Sequence, residues 1–194
     1  MRKVLGLAIV ATLATAPWAM AGSAGVGDTA PDFTLTDLNG DRITLSKLEG
    51  VRVLEWVNPD CPFVQRHYKA GTMKNLAAAY GGKGVSWLTI NSTNYMDAAA
   101  NQKFAKANDL SQHILVDQDG SVGHLYGAQT TPHMFVIDSG GTIVYAGAID
   151  DDPRGTKGDD ASNYVAAALD EVLAGKTVTM AETKPYGCSV KYAK

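Results

Sequence analysis

An apolar run, Val51-Arg-Val-Leu-Glu-Trp-Val57, stops at Asn58-Pro59-Asp60, and a cysteine followed by proline comes next, at Cys61-Pro62. The run is rich in β-branched residues, which suits a strand buried on both faces. Pro62 suits the first turn of a helix, where its missing N–H leaves nothing unpaired. Together they predict a buried strand that delivers one cysteine to a helix N-terminus. The helix dipole and the free N–H groups there favour an anion, so the Cys61 thiol is expected below the ~8.5 of a free cysteine. Simple core packing of Cys61 is the other reading of the same residues.

Residues 1–21 read as a secretory signal. Arg2-Lys3 is a short basic segment, residues 4–16 are apolar, and Ala19-Met20-Ala21 fits a small-x-small cleavage site before Gly22. The apolar stretch is short for a membrane span, so no stable membrane association is expected after cleavage. The expected location is the periplasm or the medium of a bacterium. Beyond residue 21 there remain 173 residues, enough for one domain: a body over residues 27–175 and a C-terminal tail over 176–194. Loss of Arg2 and Lys3 takes the formal charge from −3 to −5, with no basic patch, which argues against nucleic acid as a partner. The chain has two cysteines, Cys61 and Cys188, 127 positions apart. That is one possible pair rather than a disulfide scaffold, and outside a reducing cytosol such a pair can form and persist.

Patterning along the chain gives a coarse element order. Residues 30–37 and 42–45 alternate apolar and polar around Asn39-Gly40, a β-hairpin signal. Residues 62–80 read as one long helix weakened at Gly71-Thr72, with Arg66 facing water. A strand over 84–90, a helix over 97–108 capped by Asp97, a strand over 114–116 and a short helix over 120–126 follow. Strands over 134–138 and 142–148 make a second hairpin, and a final amphipathic helix covers 161–173. Residues 150–160 carry five aspartates and read as a solvated loop, without the spacing of a calcium loop. The tail shows no strong pattern. This order predicts an α/β fold with a mixed central sheet flanked by helices and an N-terminal β-hairpin extension.

Four stretches resemble the thioredoxin superfamily and, within it, the redoxin branch of the AhpC/TSA peroxiredoxins, including exported peroxiredoxin-like members. They are Ala30-Pro31-Asp32-Phe33-Thr34-Leu35, Asn58-Pro59-Asp60-Cys61-Pro62-Phe63-Val64, Thr131-Pro132-His133-Met134-Phe135-Val136-Ile137-Asp138, and Tyr186-Gly187-Cys188-Ser189-Val190-Lys191-Tyr192. The resemblance implies a thioredoxin-like fold, an active cysteine at Cys61, and a cis peptide bond before Pro132 that brings the Thr131 backbone beside it. Three features depart from the family pattern. Val64 stands where a Cys-x-x-Cys reductase has its second cysteine. Leu54 and Asn58 stand where typical peroxiredoxins have Pro and Thr/Ser. None of Arg42, Arg52, Arg66 and Arg154 matches the peroxide-site arginine by motif.

A thiolate at Cys61 can attack a disulfide or a peroxide O–O bond, and either product needs a second thiol to resolve it. Cys188 is the one candidate within the chain. The main expectation is therefore an antioxidant, peroxiredoxin-like oxidoreductase with catalytic residues Cys61, Cys188, Pro132, Thr131 and Asn58, no cofactor and no metal. Its partners would be a peroxide or disulfide substrate and a thioredoxin-like or other thiol reductant. The alternatives are thioredoxin-type thiol–disulfide exchange, a redox-sensing or metal-binding module in which His67 or His133 joins Cys61, and a permanent structural disulfide.

Overall fold

The computed structural model describes residues 23–193. The secretory-signal reading of residues 1–21 lies outside the described residues. Strand β1 (Thr34–Asp37) and β2 (Arg42–Thr44) form the expected hairpin, with Thr36 opposite Arg42. β3 (Val51–Trp56) leads to α1 (Pro62–Lys69), α2 (Thr72–Gly81) and β4 (Val85–Asn91). Then come α3 (Ala98–Ala107), β5 (His113–Val116), α4 (Ser121–Tyr126) and the two-residue strand β6 (Thr130–Thr131). β7 (His133–Ile137), β8 (Ile143–Gly147), α5 (Tyr164–Leu173) and β9 (Cys188–Ser189) complete the order.

Seven strands make one sheet in the order β2-β1-β5-β4-β3-β7-β8, and β6 pairs separately with β9. β3, β4 and β5 are mutually parallel, while β7 runs antiparallel to β3 and β8 to β7. This mixed sheet with helices on both faces is the expected architecture. Among the described residues no helix is long and apolar enough to cross a membrane.

Alternation along β3 divides the core. Val51 and Val53 join α1, α2, α3 and α5 in one cluster, whereas Leu54 and Trp56 join Phe33, Val122 and Tyr126 on the other face. Asp97 caps α3 as expected, its carboxylate accepting the Ala100 N–H at 2.8 Å.

Three sequence expectations need correction. The segment 62–80 is two helices, because Gly71 turns into the left-handed region at φ 76° and breaks the run. Arg66 does not simply face water. It donates to the carbonyls of Asp152 (2.8 Å) and Pro153 (3.1 Å), and its guanidinium lies near the rings of Phe63 and Tyr186.

Its partners show that the 150–160 loop is only partly solvated. Asp150 and Asp152 are buried, and the Asp152 carboxylate accepts the N–H groups of Thr156 and Lys157. The tail is likewise ordered against the body. Glu182 bridges to Ala146 beside the β8 edge, and Thr183 bonds Ala148 N–H and the Tyr145 hydroxyl. An edge covered in this way offers little to another chain.

Candidate functional site

Cys61 is the N-cap of α1, with Pro62 in the first helical turn. The turn before it is built by Asn58, whose carbonyl accepts the Cys61 N–H at 2.9 Å and whose side-chain oxygen accepts the Asp60 N–H at 2.8 Å. The Asn58 amide also reaches the hydroxyl of Tyr95 at 3.3 Å. Asn58 therefore holds the turn and keeps its polar atoms occupied. The position has no hydroxyl to offer a peroxide.

The Thr131-Pro132 bond is cis. In its thiol form Cys61 donates to the Thr131 carbonyl at 3.0 Å. Across the ladder from Thr131 sits Cys188, in antiparallel register, with Ser189 opposite Thr130. Gly187 permits this approach, since a Cβ there would run into the Thr131 carbonyl. The fold therefore brings Cys61, Thr131, Pro132 and Cys188 together, although 127 positions separate the cysteines in the sequence. Both are free thiols.

The two thiols are not equivalent. Burial works against the Cys61 thiolate, but hydrogen bonds donated by Cys188, the Thr131 side chain and the Val64 N–H outweigh it and hold the thiol below its ordinary value. Burial, followed by the hydrogen bond and charge of Cys61, pushes Cys188 up to about 11. Cys61 is 1 % exposed and Cys188 is half-buried. One sulfur is the acid of the pair and the other is its donor.

The histidines do not assemble with Cys61. His133 is buried on the Phe135 face of the sheet, its Nδ1 accepts the Gln129 N–H at 3.2 Å, and burial pushes its pKa down to about 4. His67 bonds the Tyr186 hydroxyl at 2.9 Å instead of the thiol, and Tyr186 in turn donates to Asp150. Among the described residues no group of three or more His, Cys, Asp or Glu could hold a metal ion.

Sequence reasoning missed two side chains at the site and one in the core. Tyr186 and Tyr192 flank Cys188 and anchor the tail, and the aromatic spacing around the cysteine is the signal that could have found them. Glu55 is fully buried on β3, its carboxyl accepting from Tyr68 (2.9 Å), Trp87 (2.7 Å) and Thr89 (3.3 Å). A charged residue inside an apolar strand was the signal there.

Comparison with known proteins follows the same lines. The model of the AhpC/TSA family matches residues 26–146. A thiol-disulfide oxidoreductase ResA of Geobacillus thermodenitrificans is 33% identical over 141 residues, covering 72% of this chain and 76% of its own. A hypothetical protein of Sinorhizobium meliloti superposes with a TM-score of 0.79 at 31% identity, over 88% of this chain and 96% of its own. A putative thiol:disulfide interchange protein DsbE of Chlorobium tepidum gives 0.57 at 26% identity, over 64% and 85%. The fold is thioredoxin-like, and the chain belongs to the AhpC/TSA family.

Proposed function

We propose that this protein is an exported thiol–disulfide oxidoreductase in which Cys61 attacks and Cys188 resolves. The observation that carries the reading is the meeting of both cysteines on the Thr131 backbone: Cys61, at the head of α1, donates to the Thr131 carbonyl at 3.0 Å, and Cys188 lies directly across the ladder from Thr131. The Cys61 thiolate attacks one sulfur of a substrate disulfide and displaces the other as a thiolate, leaving a mixed disulfide. Cys188 gives its proton to a departing substrate sulfur and attacks Cys61 Sγ. The products are the reduced substrate and a disulfide between Cys61 and Cys188. An external dithiol regenerates the pair by attacking Cys188, the more exposed sulfur, with Cys61 leaving because the more acidic thiol departs faster.

Relatives named as thiol-disulfide oxidoreductases weigh toward disulfide exchange, against the lean to peroxide reduction taken from the motifs alone. The signal-like residues 1–21 support export. The family match favours a second reading. In it, peroxide would convert the Cys61 thiolate to a sulfenic acid with release of the leaving oxygen as water, and Cys188 would then condense with it and release a second water.

The test is reduction of a disulfide substrate by a dithiol, with intact-mass analysis after thiol trapping. Cys61→Ser is expected to fall to the uncatalysed rate. Cys188→Ser is expected to stop as a mixed disulfide on Cys61. Full turnover by Cys61→Ser would remove the assignment. The same trapping after one equivalent of hydrogen peroxide, quenched within seconds, separates the two substrates: loss of both thiols favours peroxide, and retention of both leaves disulfide exchange.

A further inference from the structure

The backbone edge of Thr130–Thr131 is already occupied. Strand β9 takes it in antiparallel register, and the Val190 N–H extends the pairing to the Gln129 carbonyl at 3.1 Å. A ladder of two residues has little stability of its own, so its permanence depends on what holds its ends.

Both ends are held. On one side the Tyr186 hydroxyl donates to Asp150 and bonds His67 of α1 at 2.9 Å. On the other, the Tyr192 hydroxyl donates to the Ala128 carbonyl at 2.8 Å and its ring stacks on His124 with centroids 3.9 Å apart. Asn94 adds its N–H to the Lys191 carbonyl (2.9 Å) and its amide to the Tyr192 carbonyl (2.8 Å). Gly120 and Gly123 leave room for the Tyr192 ring, which a Cβ at either position would meet at 2.6 Å. Between these posts the strap passes over the site where Cys61 is 1 % exposed.

We infer that residues 186–192 are a built-in occupant of the substrate edge: they cover Cys61 and present Cys188 where an incoming half-cystine strand would lie, so substrate enters only when the strap lifts. The inference rests on Cys61 being the attacking thiolate. A substrate strand adding to this edge competes with an intramolecular one at high effective concentration, so its apparent affinity is lowered by the fraction of time the strap is open. Lifting the strap frees the sulfur and the ladder positions together.

The test is the alkylation rate of Cys61 by iodoacetamide in the Cys188→Ser chain, followed across pH to its thiolate limit so that acidity does not enter. With the strap otherwise intact, Cys61 is expected to react at least about tenfold more slowly than in the same chain denatured, because reaction waits on opening. Adding Gly187→Ala, or Tyr186→Phe with Tyr192→Phe, is expected to recover about tenfold or more while circular dichroism still reports the native fold. Reaction of the intact-strap chain at the denatured rate overturns the inference, as does a native-folded strap variant with no acceleration. Should those variants unfold, amide exchange in the unmodified chain decides. Protection of Val190 N–H supports a seated strap, and exchange at the rate of an exposed peptide overturns it. A freely alkylated Cys61 in a protein that still turns over disulfides would sink the strap and leave the catalytic assignment standing.

Discussion

The acidity of Cys61 is set by its neighbours as much as by its helix. Burial penalises the anion, and the thiolate is favoured only because Cys188, Thr131 and Val64 donate to it. Cys188→Ala removes one of these donors. A hydrogen bond to an ionised group contributes about 1.5–3 kcal/mol, so losing this one is expected to raise the Cys61 thiol toward its ordinary value. Cys188→Ser, which keeps a hydroxyl donor, is expected to rise less. Thiolate absorbance in the ultraviolet, titrated in both variants, measures this directly. Equal midpoints in the unmodified and Ala proteins would mean that the helix terminus and Thr131 hold the anion without help from the second thiol.

At the scale of the element, strand β3 carries a carboxyl into the core beneath α1. Burial is the main cause, outweighing three donated hydrogen bonds, and pushes Glu55 from 4.5 up to about 7. Folding therefore makes the native chain hold a proton that the unfolded chain gives up at lower pH. The stability associated with that proton is complete below about pH 4.5 and is lost as pH rises through about 7, on the order of 3 kcal/mol in all. Glu55→Gln can keep its oxygen toward Trp87 and Thr89 and turn its amide to the Tyr68 hydroxyl. Urea unfolding at pH 5 and pH 8.5 is expected to show the unmodified protein losing stability between the two and the variant losing less. Equal losses would show that Glu55 does not titrate in this range. The apolar run announced β3 and its handover to Cys61 because local periodicity and Pro62 carry that information. The break at Gly71 was visible as a weakness but not as an end, since a single glycine is tolerated inside many helices. Strand β9 was not legible at all: two residues have no period, and their partner Thr131 lies 57 positions away.

Across the whole molecule, a disulfide between Cys61 and Cys188, both free thiols here, would close a loop of about 127 residues and link the head of α1 to the tail. In the chain-entropy account, cross-linking a loop of that size removes freedom from the unfolded state worth about 4–5 kcal/mol. The reduced native protein has a compensation that a purely structural pair lacks: the Cys61 thiolate is stabilised by donors that oxidation removes. The net gain on oxidation is therefore expected to be smaller, about 3 kcal/mol, and to raise the melting temperature by roughly 6–12 °C for a chain of this size. The same free energy must appear as a lower reduction potential for the folded pair than for the two thiols in the unfolded chain, by about 60 mV, because 30 mV corresponds to about 1.4 kcal/mol. Melting of the oxidised and reduced protein, with Cys61→Ser as the reference that cannot cross-link, measures the first quantity, and equilibration with dithiol buffers measures the second. A gap near the full entropic value together with resistance to mild dithiols would identify a permanent staple. A fall in melting temperature on oxidation would mean that the sulfurs cannot bond without displacing the strap, and that Cys188 resolves only after it has moved.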